Sequence, residues 1–357
     1  MNARERYLKI MNYEKVDRIP VMAVEPYEDT TLAMWYREGY STSSSPEDSL
    51  GMDRFTKIPA DFSIFPRPEY KVIYENETEI VSTDFMYGAT VRKMKRNPSM
   101  FYGYIDHPVK CMDDWMRMKD KFNVDMEMKK PVNMECILEH LNDSSNPVSL
   151  TLFPYFFRLG FYMMGMENFM TAFYDMPDLI HDMFSFYNDF VIKTIAPYIA
   201  GAKVDCAVFA EDFAYNKSPH VSPAIYEEFW LPYQNLLVKE LKKNKVPVIC
   251  AWSAGNFDAY IPKLLGNGIN CIWPVERCSP EMDPIELRKK YGRDLLMSGG
   301  ISKRCLIDGP DAIDREIERL MPVIQEGGFI PALDDMVSPD ISLSNYRYYI
   351  RKLYNLR

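Results

Sequence analysis

After Pro147 the chain repeats one unit: a short apolar run of strand type, a polar loop, then a helical stretch. The runs fall at 148–153, 206–210, 246–251, 268–273, 295–298 and 328–333, and residues 154–165, rich in Phe, Tyr and Met, read as the loop and turn after the first of them. Near-continuous apolar strands alternating with helices require a parallel sheet covered on both faces. An earlier run at 19–24 makes seven, and one more within 50–110 makes eight. The sequence therefore predicts an α/β fold, a (β/α)8 TIM barrel, whose usual size suits about 350 residues with an insertion. An open doubly wound sheet is the alternative, but no GxGxxG or GxxxxGK follows any run, and such folds normally carry a Gly-rich phosphate turn. Residues 70–94 alternate apolar and polar around Glu75-Asn76-Glu77 and Tyr87-Gly88, which predicts an inserted antiparallel β-hairpin. Residues 1–357 are read as a single domain carrying that insertion.

In a parallel α/β fold, ligands and catalytic residues gather at the C-terminal ends of the strands. The stretch AVFAEDFAYNKSPHVSP, residues 207–223, shows such an end clearly: a strand, the adjacent carboxylates Glu211 and Asp212, and Ser222-Pro223 opening a helix. In a barrel the other strand ends bring Glu25, Tyr27, Phe153, Tyr155, residues 250–256 with Trp252 and Ser253, Glu276, Asp334 and Asp335 to the same mouth. Carboxylates that close either raise one another's pKa or hold a cation. Glu211, Asp212, Tyr215 and His220 are the candidates for acid–base work. Glu25, Tyr27, Phe153, Tyr155, Trp252, Ser253, Glu276 and Asp334 are the candidates for substrate binding. Glu211, Cys250 and Asp335 are candidate metal ligands. Against these stand plainer readings: a solvated acidic loop, an exposed histidine, and a buried cysteine acting as a small hydrophobe. Cys136 and His140, four apart on a predicted helix, lack further ligands nearby.

A net charge of −9 leaves no basic footprint for nucleic acid or anionic membrane. No apolar run approaches the roughly 18 residues that span a bilayer, and the charged N-terminus lacks a signal-peptide core. Seven scattered cysteines without a CxxC fit reduced thiols, so a cytoplasmic protein with a small-molecule substrate is expected.

Four stretches, ARERYLKIMNYEKVDRIPV, EDFAYNKSPHVSP, PVERCSPEMDPIELRKKYGRDLLMSGGISKRCL and GGFIPALDDMVSPDISLSNYRYYIRKL, resemble the uroporphyrinogen decarboxylase superfamily, in order and along nearly the whole chain. The resemblance implies a (β/α)8 barrel and one of two activities: cofactor-free decarboxylation of porphyrinogens, or corrinoid-linked methyl transfer assisted by zinc. The decarboxylases grip an octacarboxylate with Arg-Gln-Ala-Gly-Arg-Tyr after the first strand, where this chain has Glu25-Pro26-Tyr27-Glu28-Asp29. Carboxylates in place of cationic forks repel such a substrate. The zinc methyltransferases carry His-x-Cys-Gly after the strand matching 246–251 and a Cys near the last strand; here Trp252, Ala254 and Asp335 stand at those positions, so the soft ligands are not retained. The resemblance thus points to the methyltransferase-like branch, moving a methyl group from a small O- or N-methylated compound to the cobalt of a separate corrinoid (cobalamin) protein. The aromatic stretch 153–166 suits a methoxyaromatic donor, as in an O-demethylase. A decarboxylase or lyase acting on a small acid or porphyrinogen-like substrate, and a non-catalytic ligand-binding barrel, are the alternatives.

Overall fold

The computed structural model describes residues 1–23, 27–41, 44–63, 71–83, 87–96, 103–121 and 130–356. Its centre, among those residues, is a curled seven-stranded sheet in the order β1 (Thr56–Lys57), β6 (Val148–Leu152), β7 (Cys206–Ala210), β8 (Val248–Trp252), β9 (Cys271–Val275), β10 (Leu296–Ile301) and β11 (Phe329–Leu333). Every neighbouring pair is parallel. β7, β10 and β11 are buried at every position, as expected of strands enclosed on both faces. The connecting helices lay apolar stripes on the sheet: in Pro310–Glu326, Ile313, Ile317, Leu320 and Ile324 recur at helical spacing and are buried. The helix starts read from the sequence are present, with Ser222 Oγ accepting from Ile225 N at 3.3 Å and Asp283 Oδ1 from Ile285 N at 2.9 Å.

The structure is therefore TIM-like, and it departs from the sequence expectation in three places. The first apolar run, 19–24, forms no strand among the described residues. Met22 within it and Tyr27 beyond it make single parallel bridges, to Asp53 and to Val337, and so touch the chain just before β1 and just after β11, the two edge strands. Pro20 lacks an N–H for a continuous ladder. The insertion is larger than a hairpin: β2 (Val72–Glu75), β3 (Glu79–Thr83), β4 (Thr90–Met94) and β5 (Gly103–Asp106) form a four-stranded antiparallel sheet. Finally, residues 154–165, expected to be loop, contain the buried helix Phe156–Met164. In the middle of this helix, a Cβ at Gly160 would lie 2.2 Å from the Phe169 ring. Close approach of helix Met166–Asp175 needs that glycine and offsets its propensity cost of about 1 kcal/mol. The inserted sheet leans on the same helix, with Tyr87 stacked on Tyr162 at 4.8 Å and Tyr104 edge-on to Phe161 at 5.2 Å.

The N-terminal segment is fixed to the sheet by charge. Asp53 is buried and accepts from Arg6 Nη1 at 3.1 Å, Arg18 Nη1 at 2.6 Å, Arg18 Nη2 at 2.9 Å and Val21 N at 3.0 Å. Removing this carboxylate leaves the buried Arg6 without one of its two anions and Arg18 without its carboxylate. Asp53→Ala is therefore expected to cost about 3 kcal/mol in urea denaturation; a loss below about 0.5 kcal/mol, the scale of an exposed pair, would contradict this role.

Candidate functional site

Alternate residues of a strand share a face, and the register of the sheet brings one such face together into a cavity of about 590 Å³. Phe55 and Lys57 at β1, Ser149, Thr151 and Phe153 at β6, Val208 and Ala210 from β7, Trp252 from β8 and Trp273 from β9 line it; Ala23, Tyr27, Leu32 and Glu47 complete the wall. Trp252 and Trp273 are register partners, and Phe55 stacks on Trp273 at 5.6 Å. Thr151 is exposed in a strand whose other four residues are buried; it opens into this cavity.

The acidic pair after β7 divides. Glu211 has no exposed surface. Its Oε2 accepts the Phe157 N–H at 2.8 Å, and its Oε1 accepts the Trp230 indole N–H at 3.1 Å. The carboxyl thereby caps helix Phe156–Met164, whose own N-cap residue Tyr155 makes no side-chain cap, and holds a π-helical turn, Tyr226–Trp230. Burial pushes Glu211 up to about 8, against the downward pull of the two N–H donors and Arg158. Asp212 takes a left-handed φ of +63°, which turns the chain and sends its side chain the other way. Its Oδ2 accepts from Arg158 Nη2 at 2.9 Å. The Arg158 guanidinium lies 5.3 Å from the Phe153 ring centre and 5.0 Å from that of Trp252, so it borders the cavity that both rings line. Its Nε is buried without a hydrogen-bond partner.

A second cavity of about 430 Å³ lies beyond the ends of β9, β10 and β11, lined by Asn216, Glu276, Arg277, Cys278, Ser302, Lys303, Arg304, Asp334 and Asp335. Burial raises Glu276, against the Gly255 N–H that it accepts, and Asp335 and Asp212 add to the rise. Burial pushes Asp334 up to about 6, although its Oδ1 accepts the Lys303 N–H at 2.8 Å. Lys303 Nζ pairs with Asp335.

The residues expected at one mouth thus separate into groups. Tyr27, Phe153 and Trp252 line the first cavity, and Tyr27 O–H meets Tyr346 O–H at 3.0 Å. Glu276, Asp334 and Asp335 line the second. Tyr155 is buried, donating to Asn188 Oδ1 at 3.0 Å, and Ser253 is buried, donating to the Ala254 carbonyl at 2.7 Å. His220 stacks on Phe157 at 5.0 Å and lies 5.4 Å from the Tyr215 ring; burial lowers its pKa, with Asp212 opposing. Tyr215 is exposed. Glu25 lies outside the described residues. Of the metal candidates, Glu211 has both oxygens engaged, Cys250 is buried in β8 and Asp335 is paired with Lys303. Among the described residues no group of three or more His, Cys, Asp and Glu is placed to hold a metal, so this donor set does not fit a zinc site. Cys136 and His140 share helix Met134–Asn142.

Sequence reasoning missed Lys57, Phe55 and Arg158. Lys57 ends a two-residue strand too short for a periodic signal, Phe55 directly precedes that strand, and Arg158 lies in the helix read as loop.

The family model described as Uroporphyrinogen decarboxylase (URO-D) matches residues 104–355, more than half of the chain. Among curated proteins, the chain is 24% identical over 182 residues to the "Uroporphyrinogen decarboxylase" of Xanthomonas euvesicatoria pv. vesicatoria (strain 85-10), covering 47% of this chain and 48% of that protein. It is 26% identical over 164 residues to the protein of the same description from Crocosphaera subtropica (strain ATCC 51142 / BH68), covering 44% and 42%. The chain spans about half the length of the curated relatives it matches. Among solved structures, a "methyltransferase from Methanosarcina mazei" superimposes with a TM-score of 0.61 at 15% identity, covering 99% of this chain and 98% of that one; the likeness is one of fold.

The raised pKa of Glu211 has a sign that can be measured. The folded protein binds this proton more tightly than the unfolded chain, where the group titrates near 4.5. Its contribution to stability is therefore complete below that value and is lost as pH rises to about 8. Urea denaturation between about pH 5 and pH 8 is expected to show wild type losing stability relative to Glu211→Gln, which cannot titrate. Parallel pH profiles for the two proteins would show that Glu211 is ionised throughout.

Proposed function

Because the chain belongs to the uroporphyrinogen decarboxylase (URO-D) family, we propose that it is an enzyme of the methyltransferase-like branch, acting as one cytoplasmic domain that demethylates a small methoxyaromatic compound. The observation that carries this reading is the wall of the first cavity. Tyr27, Phe55, Phe153, Trp252 and Trp273 give it five aromatic rings, and Lys57 is the sole cation among its described lining residues. An octacarboxylate needs many cationic partners, whereas offset stacking on such rings suits one flat aromatic ligand. No described helix is long and apolar enough to cross a membrane.

Cleavage of an aryl methyl ether leaves the bonding electron pair on the ring oxygen, where negative charge develops. A preorganised cation or N–H donor at that oxygen lowers the barrier. Arg158 supplies both: its charge borders the cavity between Phe153 and Trp252, and its buried Nε–H is uncommitted. Asp212 holds the guanidinium from the side through Nη2. Of the four loop residues expected to do acid–base work, Asp212 is the one that acts at the cavity, and it acts through Arg158. Glu211 fixes the helix on which Arg158 stands. The methyl acceptor is the cobalt of a separate corrinoid protein, which supplies a strong nucleophile. With the donor set described above, zinc has no part in this reading.

Free cob(I)alamin mixed with a panel of methoxyaromatic and N-methylated compounds is expected to lose its absorbance with the methoxyaromatics. Arg158→Met is expected to lower kcat by roughly 10² or more, the usual scale for an oxyanion donor. Carbon dioxide release from uroporphyrinogen, without any methyl transfer, would overturn the reading in favour of the decarboxylase.

A further inference from the structure

The first cavity contains a polar corner that stacking on a methoxyaromatic ring leaves unused. Lys57 on β1 and Ser149 on β6 are register partners, so their side chains stand side by side, and Thr151 follows Ser149 on the same face. All three line the cavity. Among the described residues, neither the Lys57 ammonium nor the two hydroxyl groups makes a side-chain hydrogen bond or ion pair. An ammonium with no anion of its own, beside two hydroxyl groups that can donate hydrogen bonds, suits an anion that arrives with the ligand. Lys57 and Thr151 are exposed although Ile58 and Leu152 beside them are buried, and both line the cavity. The other charge in the wall, Glu47, acts electrostatically on Tyr27 and Tyr346.

We propose that Lys57, Ser149 and Thr151 bind a carboxylate, and that the substrate is therefore a methoxylated aromatic acid rather than a neutral methoxyarene. This assignment rests on reading the cavity as the site of the methylated ring, and it sets the ring's direction. Ser149 lies four residues below Phe153 on β6, roughly 13 Å at about 3.3 Å per residue, and Arg158 stands at the Phe153 end. The acid group is held at the Lys57 end, the ring lies between the tryptophans, and the methyl ether points to Arg158.

Isothermal titration calorimetry with 4-methoxybenzoate and the neutral, similarly shaped 4-methoxybenzamide tests this directly, without turnover or corrinoid. Wild type is expected to bind the acid about tenfold more tightly or better, the scale of one charge-assisted contact of about 1.4 kcal/mol. Lys57→Met is expected to lose that preference with amide binding unchanged. Lys57→Arg, which keeps the charge, is expected to keep the preference and so separates the charge from any damage to folding. Equal binding of acid and amide by wild type overturns this assignment alone, as does a preference that survives Lys57→Met. Tighter binding of 4-methoxybenzylamine than of the acid hands the cavity to Glu47 and also overturns it. Binding of none of these compounds overturns both the assignment and the aromatic reading of the cavity beneath it.

Discussion

A carboxyl group without exposed surface, Glu211, ties three elements together at the end of the sheet where the cavities lie. It ends β7, caps helix Phe156–Met164 through the Phe157 N–H, and holds Trp230 in the π-helical turn of the next helix. Single π turns often mark functional sites because they re-aim one side chain, and here the re-aimed chain is an indole whose N–H needs a buried acceptor. Two N–H donors converge on one carboxyl, so the group is satisfied even where burial disfavours its charge. Loss of the acceptor strands both donors, at about 1–3 kcal/mol for each left unpaired.

This node decides where Arg158 stands. One turn into the helix that Glu211 caps, Arg158 is held by Asp212 and lies against Phe153 and Trp252. The adjacent carboxylates therefore share no task. Glu211 sets the helix, and Asp212 sets the cation on it. The positive φ at Asp212 makes the division, since a small polar side chain tolerates the left-handed region that a bulkier one resists. The cavity gains one oriented cation at each end of its long direction, Lys57 below and Arg158 above, between aromatic walls. A flat, singly charged ligand meets such a space better than a compact polyanion.

The second half of the fold was legible because enclosed parallel strands are nearly continuous in apolar residues: β7 to β11 fall within three residues of their expected bounds. The first half was not. β1 has two residues, and its neighbour in the first apolar run makes only isolated bridges, so tertiary contact rather than local pattern places both. The aromatic members of the site, Tyr27, Phe153 and Trp252, were legible because each follows or ends an apolar run. The functional split of Glu211 from Asp212 was not, because sequence spacing cannot show which of two adjacent carboxylates the backbone turns inward. Arg158 was concealed because residues 154–165 read as a loop and turn, whereas Phe156–Met164 is a buried helix. Lys57 was hidden for a different reason: a lysine beside a short apolar stretch is ordinarily a solvated charge, and only the register with Ser149 turns it into the cavity.

The central claim is that the space between Trp252 and Trp273, not the charged cavity beyond β9 to β11, receives the substrate. A crystal structure of the protein soaked with a methoxyaromatic compound tests it most directly. The account predicts the ring stacked between those tryptophans, with the ether oxygen within hydrogen-bonding distance of Arg158 Nε. A ligand bound instead among Glu276, Lys303 and Asp334, with only water between the tryptophans, would contradict it.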